Sequence, residues 1–230
     1  MRIVVLTGAG ISAESGVPTF RGSDGLWEGH RVEDVATPEG YERDPDAVLA
    51  FYDARRRAVA STHPNPAHRA LARLEGAIGD RLLVVTQNVD DLHERAGTRN
   101  LVHMHGELRR ARCLACDARP DWDDDLRDRP RCPRCGERML RPDVVWFGEM
   151  PYGLDRIEQA VVACDVFVSI GTSGEVYPAA GYVALAAAFG ARTVELNLEP
   201  SDPAVPLDDV RAGRAGELVP AWVEEVLARR

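Results

Sequence analysis

Four of the five cysteines fall into two pairs, Cys113-x-x-Cys116 and Cys132-x-x-Cys135, with 15 residues between the pairs. That doubled spacing is the spacing of a zinc ribbon. Each pair turns tightly enough to aim two sulfurs at one ion, and four thiolates close a tetrahedron. A closed tetrahedron leaves no position for water or substrate, so the expectation is one structural Zn²⁺. Four thiolates around a dication leave a net charge of about −2. Arg109, Arg110, Arg112, Arg131, Arg134 and Arg138 lie nearby in the sequence and are expected to offset it. A redox or fortuitous cysteine set is the competing reading. The fifth cysteine, Cys164, sits in an apolar stretch and reads as core.

A second candidate is Gly8-Ala9-Gly10-Ile11-Ser12-Ala13. It fits G-x-G-x-x-G/A, whose glycines let backbone approach a pyrophosphate and offer it N–H groups. The acidic residue that completes a dehydrogenase fingerprint about 20 positions on is missing. Glu33 and Asp34 stand at roughly that distance but follow no strand. A bare structural turn is the alternative. Three more polar runs end predicted strands: Thr86-Gln87-Asn88-Val89-Asp90, Gly171-Thr172-Ser173 and Asn197-Leu198-Glu199. In an open parallel sheet, ligands sit at the carboxyl ends of strands, so four such loops converge on one crevice. Taken singly, each loop could equally cap a helix. His103 and His105 offer imidazoles able to accept a proton at neutral pH. Two residues apart on an extended chain they share a side, so periodicity does not choose between them.

Those loops need elements to hold them. The apolar, β-branched runs at 2–7, 82–86, 166–170 and 193–197 predict buried parallel strands. Helical spacing falls over 46–60, 66–74, 154–163, 179–189 and 221–230. Strands alternating with helices predict an α/β fold with a Rossmann-like, doubly wound sheet. Residues 21–65 carry helix signal but little strand signal, and 107–142 hold the cysteines and an acidic run, Asp121-Trp122-Asp123-Asp124-Asp125. The expectation is a single domain, 1–230. Its Rossmann-like part combines 1–20, 66–106 and 143–230. The helical insert 21–65 and the zinc module 107–142 form a smaller module beside it.

The chain has 230 residues and a net charge of −9, so general nucleic-acid binding is disfavoured, because phosphate contacts favour a basic surface. No apolar run reaches the roughly 18 residues of a membrane span, so no membrane role is expected. The start, Met1-Arg2-Ile3-Val4-Val5-Leu6-Thr7-Gly8, turns to glycine too soon for a signal peptide. A cytoplasmic location is expected, where paired cysteines read as metal ligands before disulfides. All 28 basic residues are arginine, which codon usage explains.

Taken in order, these motifs resemble the sirtuin family across nearly the whole chain. The run from Gly8 through Gly10, Ser12, Ala13, Pro18 and Thr19 to Phe20-Arg21-Gly22 resembles that family's cofactor loop. Thr86-Gln87-Asn88-Val89-Asp90, His105-Gly106, the four cysteines, Gly171-Thr172-Ser173 and Asn197-Leu198-Glu199 follow in the family's order. The resemblance implies an NAD-dependent protein-lysine deacylase with a zinc module beside a Rossmann domain, the acyl-lysine peptide lying between them. It implies that Gly8, Ala9 and Gly10, with Ala13, hold the NAD pyrophosphate, and that Phe20 and Arg21 position the nicotinamide ribose. Gln87, Asn88 and Asp90 would line the nicotinamide and ribose pocket. Gly171, Thr172, Ser173, Asn197, Glu199 and, on the Gly213-Arg214-Ala215 loop, Ala215 would meet the adenosine half. The glycine after His105 matches the family, which makes His105 the general base; Asn88 stands beside it in the catalytic group. The implied reaction starts with attack of the acyl oxygen on C1′ of the nicotinamide ribose. Nicotinamide leaves, His105 deprotonates a ribose hydroxyl, and free lysine and O-acyl-ADP-ribose are released.

The acyl group has its own candidates. Tyr52 and Arg55 lie three apart on a predicted helix and share a face. A phenol beside a guanidinium suits a carboxylate. This Tyr-x-x-Arg, with Ala36 before Thr37-Pro38, resembles the sirtuin branch that removes succinyl and malonyl groups as well as acetyl. A solvated basic helix face is the plain alternative. Val145, Phe147 and Gly148, and across from them Glu175 and Tyr177, resemble the two segments that hold the peptide as an added strand. Two other functions compete: another NAD-consuming enzyme, a transferase or glycohydrolase, and a module whose zinc ribbon binds nucleic acid.

Overall fold

The computed structural model describes residues 1–18, 27, 29–201 and 205–229. Eight strands are found among them: β1 (Ile3–Thr7), β2 (Leu82–Thr86), β3 (Leu101–His103), β4 (Gly106–Cys113), β5 (Leu140–Val144), β6 (Val166–Ile170), β7 (Arg192–Asn197) and β8 (Asp209–Ala212). Six of them form one sheet in the order β3-β2-β1-β6-β7-β8, every pairing parallel. Counting only that sheet, this is the doubly wound dinucleotide-binding order, 3-2-1-4-5-6. Strands β4 and β5 pair antiparallel in a separate two-stranded sheet.

The central strands are buried on both faces because helices cover both. Ile3 and Val5 face α5 (Pro66–Ile78) and α9 (Ala215–Ala228), packing with Leu71, Leu74, Val219, Trp222 and Val223. Val4 and Leu6 face the other way, onto Ile157 and Val161 of α7 (Leu154–Val162) and Ala186 of α8 (Tyr182–Ala188). This period-two division is why the strands read as continuous apolar runs. Each such side chain stabilises the fold by roughly 1.5–3 kcal/mol on burial.

The smaller unit has a core of its own. The remaining helices are α1 (Gly10–Ala13), α2 (Val32–Val35), α3 (Pro38–Arg43), α4 (Pro45–Ala60) and α6 (Leu92–Ala96). Val48, Phe51 and Tyr52 of α4 pack with Leu108, Val144 and Trp146 from the small sheet and its exit. The buried Asp53 of α4 accepts backbone N–H groups from Leu126 and Arg127 at 2.9–3.0 Å and pairs with the buried Arg56 at 2.8 Å. Arg56 also donates to the carbonyls of Leu108 and Asp124. One buried ion pair therefore ties the helical insert to the cysteine-bearing segment.

Four strands were not foreseen. β4 alternates buried and half-exposed positions, but arginines on its outer face mask the pattern. β5 is Leu-Arg-Pro-Asp-Val, yet all five residues are buried. Its Pro142 stands opposite Ala111, beside the register shift between Glu107 and Ala111, where a missing N–H is tolerated. β3 and β8 are three and four residues long, too short for a periodicity. Helix α9 begins six residues before the expected start at 221, running through Pro220.

Candidate active site

The chain winds away from β1 and β6 in opposite directions, and this opens a crevice at their carboxyl ends. The two loops there touch. Gly8 N–H donates to Ile170 O at 3.0 Å and Gly10 N–H to Gly171 O at 2.8 Å. A Cβ on Gly10 would lie 2.6 Å from Gly171 Cα, and one on Gly8 would lie 2.7 Å from Gly171 O. These amides therefore serve the protein's own backbone, and loop-to-loop approach is the first reason for both glycines.

Polar side chains then knit the strand ends together. Asn88 Nδ2 donates to Gly8 O and to Ser12 Oγ, each at 3.1 Å. The Ser12 hydroxyl in turn donates to Asp90 Oδ2 at 2.9 Å. Burial pushes the Asp90 carboxyl up, against hydrogen bonds from the Leu92 amide and the Ser12 hydroxyl. Gln87 Nε2 reaches Thr172 Oγ1 at 3.0 Å, and Asn197 Nδ2 reaches Thr172 O at 2.9 Å. Behind Ser12 stands the buried His68, whose Nδ1 accepts the Asn65 N–H to close the cap of α5. Burial lowers its pKa to about 4, with Arg69 adding to the effect, so it stays neutral.

The structure separates the two histidines. His103 ends β3, with Nδ1 3.0 Å from Asn88 O and Nε2 2.7 Å from Glu94 Oε1. Both acceptors are oxygens, so both ring nitrogens donate. Burial opposes that charge, but the Glu94 hydrogen bond and carboxylate, with Glu107, raise the pKa overall. His103 is thereby a held cation supporting the Asn88 main chain. His105 instead faces the crevice. Its Nδ1 lies 3.2 Å from Gln87 O, which places the proton on Nδ1 and leaves Nε2 as a lone pair. Burial lowers its pKa, and the Gln87 bond only partly opposes this. Gly106 holds φ +82, and a Cβ there would stand 2.0 Å from Asp143 O, so only glycine follows His105.

One cavity of about 1180 Å³ runs from these loops to the small sheet. It exceeds the roughly 300–1,000 Å³ typical of a single small ligand. Every residue expected to serve catalysis, cofactor or substrate, within the described set, lines it. On the sheet side these are Gly8, Ala9, Gly10, Ala13, Gln87, Asn88, Asp90 and His105, with Gly171, Thr172, Ser173, Asn197, Glu199 and Ala215. Toward the small sheet and α4 stand Ala36, Tyr52, Arg55, Val145, Phe147 and Gly148, and Glu175 and Tyr177 follow the loop after β6. Phe20 and Arg21 lie outside the described residues. Arg55 is 6% exposed, with its guanidinium 3.4 Å from the Phe51 ring centre and 4.5 Å from that of Trp27. This burial excludes the solvated-face reading for Arg55; of the neighbouring arginines Arg56 is buried too and Arg57 is exposed, paired with Asp125. Val145 N–H donates to His105 O and Phe147 N–H to Ala36 O, both at 2.9 Å, so this segment ties the His105 loop to the Ala36 turn.

The cysteine sulfurs converge within 4.8 Å of one another. Cys113–Cys135 and Cys116–Cys132 stand at 3.6 and 3.8 Å. A tetrahedron with Zn–S bonds near 2.3 Å has edges of about 3.8 Å, so the four donors fit one zinc ion. The two knuckles match: Asp117 N–H closes onto Cys113 O and Gly136 N–H onto Cys132 O, each at 2.9 Å with positive φ. The expected charge compensation is corrected here. Arg109 pairs with Asp123 and Asp91, Arg110 with Glu107 and Asp121, and Arg112 with Asp117. Two members of the acidic run, Asp121 and Asp123, thus answer Arg110 and Arg109, and Arg131 and Arg138 go to backbone carbonyls.

Asn65 and His68 carried no motif, and Ser12, Trp146 and Glu149 lay within motifs but were given no role. Asn65-Pro66 was legible as a helix cap. That its side chain also reaches Ile11 O at 2.7 Å was not.

A doubly wound parallel sheet, a crevice at its switch point and a four-thiolate module define a zinc-bearing dinucleotide-binding class. Comparison with known proteins narrows it. The profile of the Sir2 family matches residues 8–178. The chain is 55% identical over 230 residues to the NAD-dependent protein deacylase of Pasteurella multocida (strain Pm70), covering 99% of this chain and 98% of that protein. It superposes on a Sir2 homologue mutant in complex with ADP ribose with TM-score 0.91 at 42% identity, covering 99% of this chain and 92% of that one. Sir2Af2 bound to a myristoylated histone peptide gives TM-score 0.77 at 36% identity over 100% of this chain and 92% of that one. The chain belongs to the Sir2 family.

Proposed function

We propose that the protein is an NAD-dependent protein-lysine deacylase whose acyl pocket takes succinyl and malonyl groups as well as acetyl. The observation that carries the reading is one continuous cavity with His105 and the strand-end loops at one end and the Tyr52–Arg55 pair at the other. NAD supplies an electrophilic ribose carbon and nicotinamide as leaving group. The loops at Gly8, Gly171 and Asn197 hold its ADP-ribose part, and Gln87, Asn88 and Asp90 hold the nicotinamide end. His105, neutral and with Nε2 unprotonated, accepts a ribose hydroxyl proton. The relative from Pasteurella multocida carries the deacylase name, and the ADP-ribose and acylated-peptide neighbours support both halves of the site.

The substrate is a protein segment carrying the modified lysine, laid as an added strand between 145–148 and 175–177. Backbone pairing reads little sequence, so substrate choice is broad. Zinc holds the small module and takes no part in the reaction. Nucleic acid is not a partner, in keeping with the acidic balance. Among the described residues no helix is long and apolar enough to cross a membrane. We place the protein in the cytoplasm, where a four-thiolate centre stays reduced. Residues 21–65 and 107–142 act together as the smaller module.

Parallel assays on acetyl-, malonyl- and succinyl-lysine forms of one peptide test the acyl reading. Arg55→Met is expected to lower desuccinylation by roughly 10- to 100-fold more than deacetylation, the size of a charge-assisted hydrogen-bond set. Equal losses on both would remove the carboxylate role.

A further inference from the structure

We propose that Trp146 is a positioning residue that aims the Tyr52 hydroxyl proton into the acyl pocket and so sets the preference for acyl groups ending in a carboxylate. The inference rests on the Tyr52–Arg55 reading above. Trp146 Nε1 lies 2.9 Å from Tyr52 Oη, deep in the protein, with Tyr52 0% and Trp146 3% exposed. An indole nitrogen only donates, so the phenol oxygen is the acceptor in this bond. The phenol's own proton cannot point back along the same line and must leave on another bearing. Both Tyr52 and Trp146 line the cavity, as does Arg55. Burial pushes the Tyr52 pKa up, so the group keeps its proton at neutral pH and remains a donor. A hydroxyl whose acceptor face is already taken, beside a guanidinium, favours an anion over a neutral methyl.

Trp146 is in turn held so that it cannot swing away. The buried Arg141 guanidinium lies 3.9 Å from its ring centre. Arg141 Nη2 donates to both oxygens of Glu149 at 2.7 and 2.9 Å. Glu149 Oε2 accepts the Trp146 backbone N–H at 2.9 Å. The Tyr41 ring packs on the indole at 5.2 Å between centres. An arginine and a glutamate thus fix an indole, and the indole fixes a proton.

The test is a double-mutant cycle read as the ratio of desuccinylation to deacetylation kcat/KM. Trp146→Phe is expected to lower that ratio about 5-fold, the size of one hydrogen bond, mainly through KM for the succinyl peptide. Tyr52→Phe is expected to lower it about 10-fold or more. The double variant should fall no further than Tyr52→Phe alone. Replacing Trp146 by 3-benzothienylalanine, which keeps the ring shape and removes only the N–H, guards against a folding defect and should reproduce the Trp146→Phe value. A ratio unmoved by the isostere, or losses that multiply in the double variant, overturns the positioning role. A ratio unmoved by Arg55→Met removes the carboxylate reading itself and the proposal with it, so the two failures are told apart.

Discussion

His105 is set apart from His103 by its acceptors alone. His103 has a carbonyl on one nitrogen and a carboxylate on the other, and is held as a cation. His105 has one carbonyl, on Nδ1, and turns Nε2 to the crevice. A base must be unprotonated to act. Burial lowers the His105 pKa below the ordinary 6.5, so loss of activity on acidification belongs to pH values under 6.5, with a plateau above. A kcat/KM profile whose acid limb sits at pH 7 or higher would place the base elsewhere. His105→Ala is expected to retain NAD and peptide binding, measured by calorimetry, while losing turnover by roughly 100- to 10,000-fold. The sequence put the two histidines on one side of an extended chain, and only the turn at Gly106 and the contact with Glu94 separate them. The same holds for Tyr52 and Arg55. Their spacing announced a shared face, whereas burial, which excludes a solvated basic surface, depends on Trp27 and Trp146 arriving from distant parts of the chain.

Among the elements, α4 carries the proposed acyl pocket on one side and anchors the cysteine-bearing segment on the other. Tyr52 and Arg55 turn to the cavity, and Asp53 and Arg56 turn to the loop at 124–127. Removing one member of a buried pair strands the other charge. Asp53→Ala is therefore expected to cost about 3–5 kcal/mol and to lower the melting temperature by roughly 10 °C. A calorimetric loss under about 1 kcal/mol would show that the pair is not what joins the two parts. The long apolar strands β1, β2, β6 and β7 were legible because both their faces are buried, and the capped helices because their periods are clean. Strands β4 and β5 were hidden because a small two-stranded sheet with arginine outside and a buried Arg141 inside has no apolar alternation to read. The Gly8 and Gly10 pattern was read as an approach to a pyrophosphate, whereas the backbone that these glycines meet within the protein is that of Gly171, just past the end of a strand far along the chain. No local pattern announces such a partner.

At the scale of the whole molecule, the parallel sheet holds the dinucleotide end of the cavity. The small sheet and α4 line the end proposed for the acyl group, and the four cysteines join the small sheet's outer loops. A structural zinc contributes its binding energy to folding. Stripping it with a chelator is expected to lower the melting temperature and open 107–142 to proteolysis, while far-ultraviolet dichroism from the main sheet persists. An apoprotein melting unchanged would mean that the sulfurs hold themselves. The account as a whole stands on the meeting of a dinucleotide and an acyl-lysine in one cavity, and nicotinamide release reads that meeting most directly. With NAD and an acyl-lysine peptide together, the protein should release one nicotinamide for each lysine freed, and with NAD alone, or NAD and the unmodified peptide, almost none. Equal nicotinamide release without the peptide would make the protein a glycohydrolase and contradict the account.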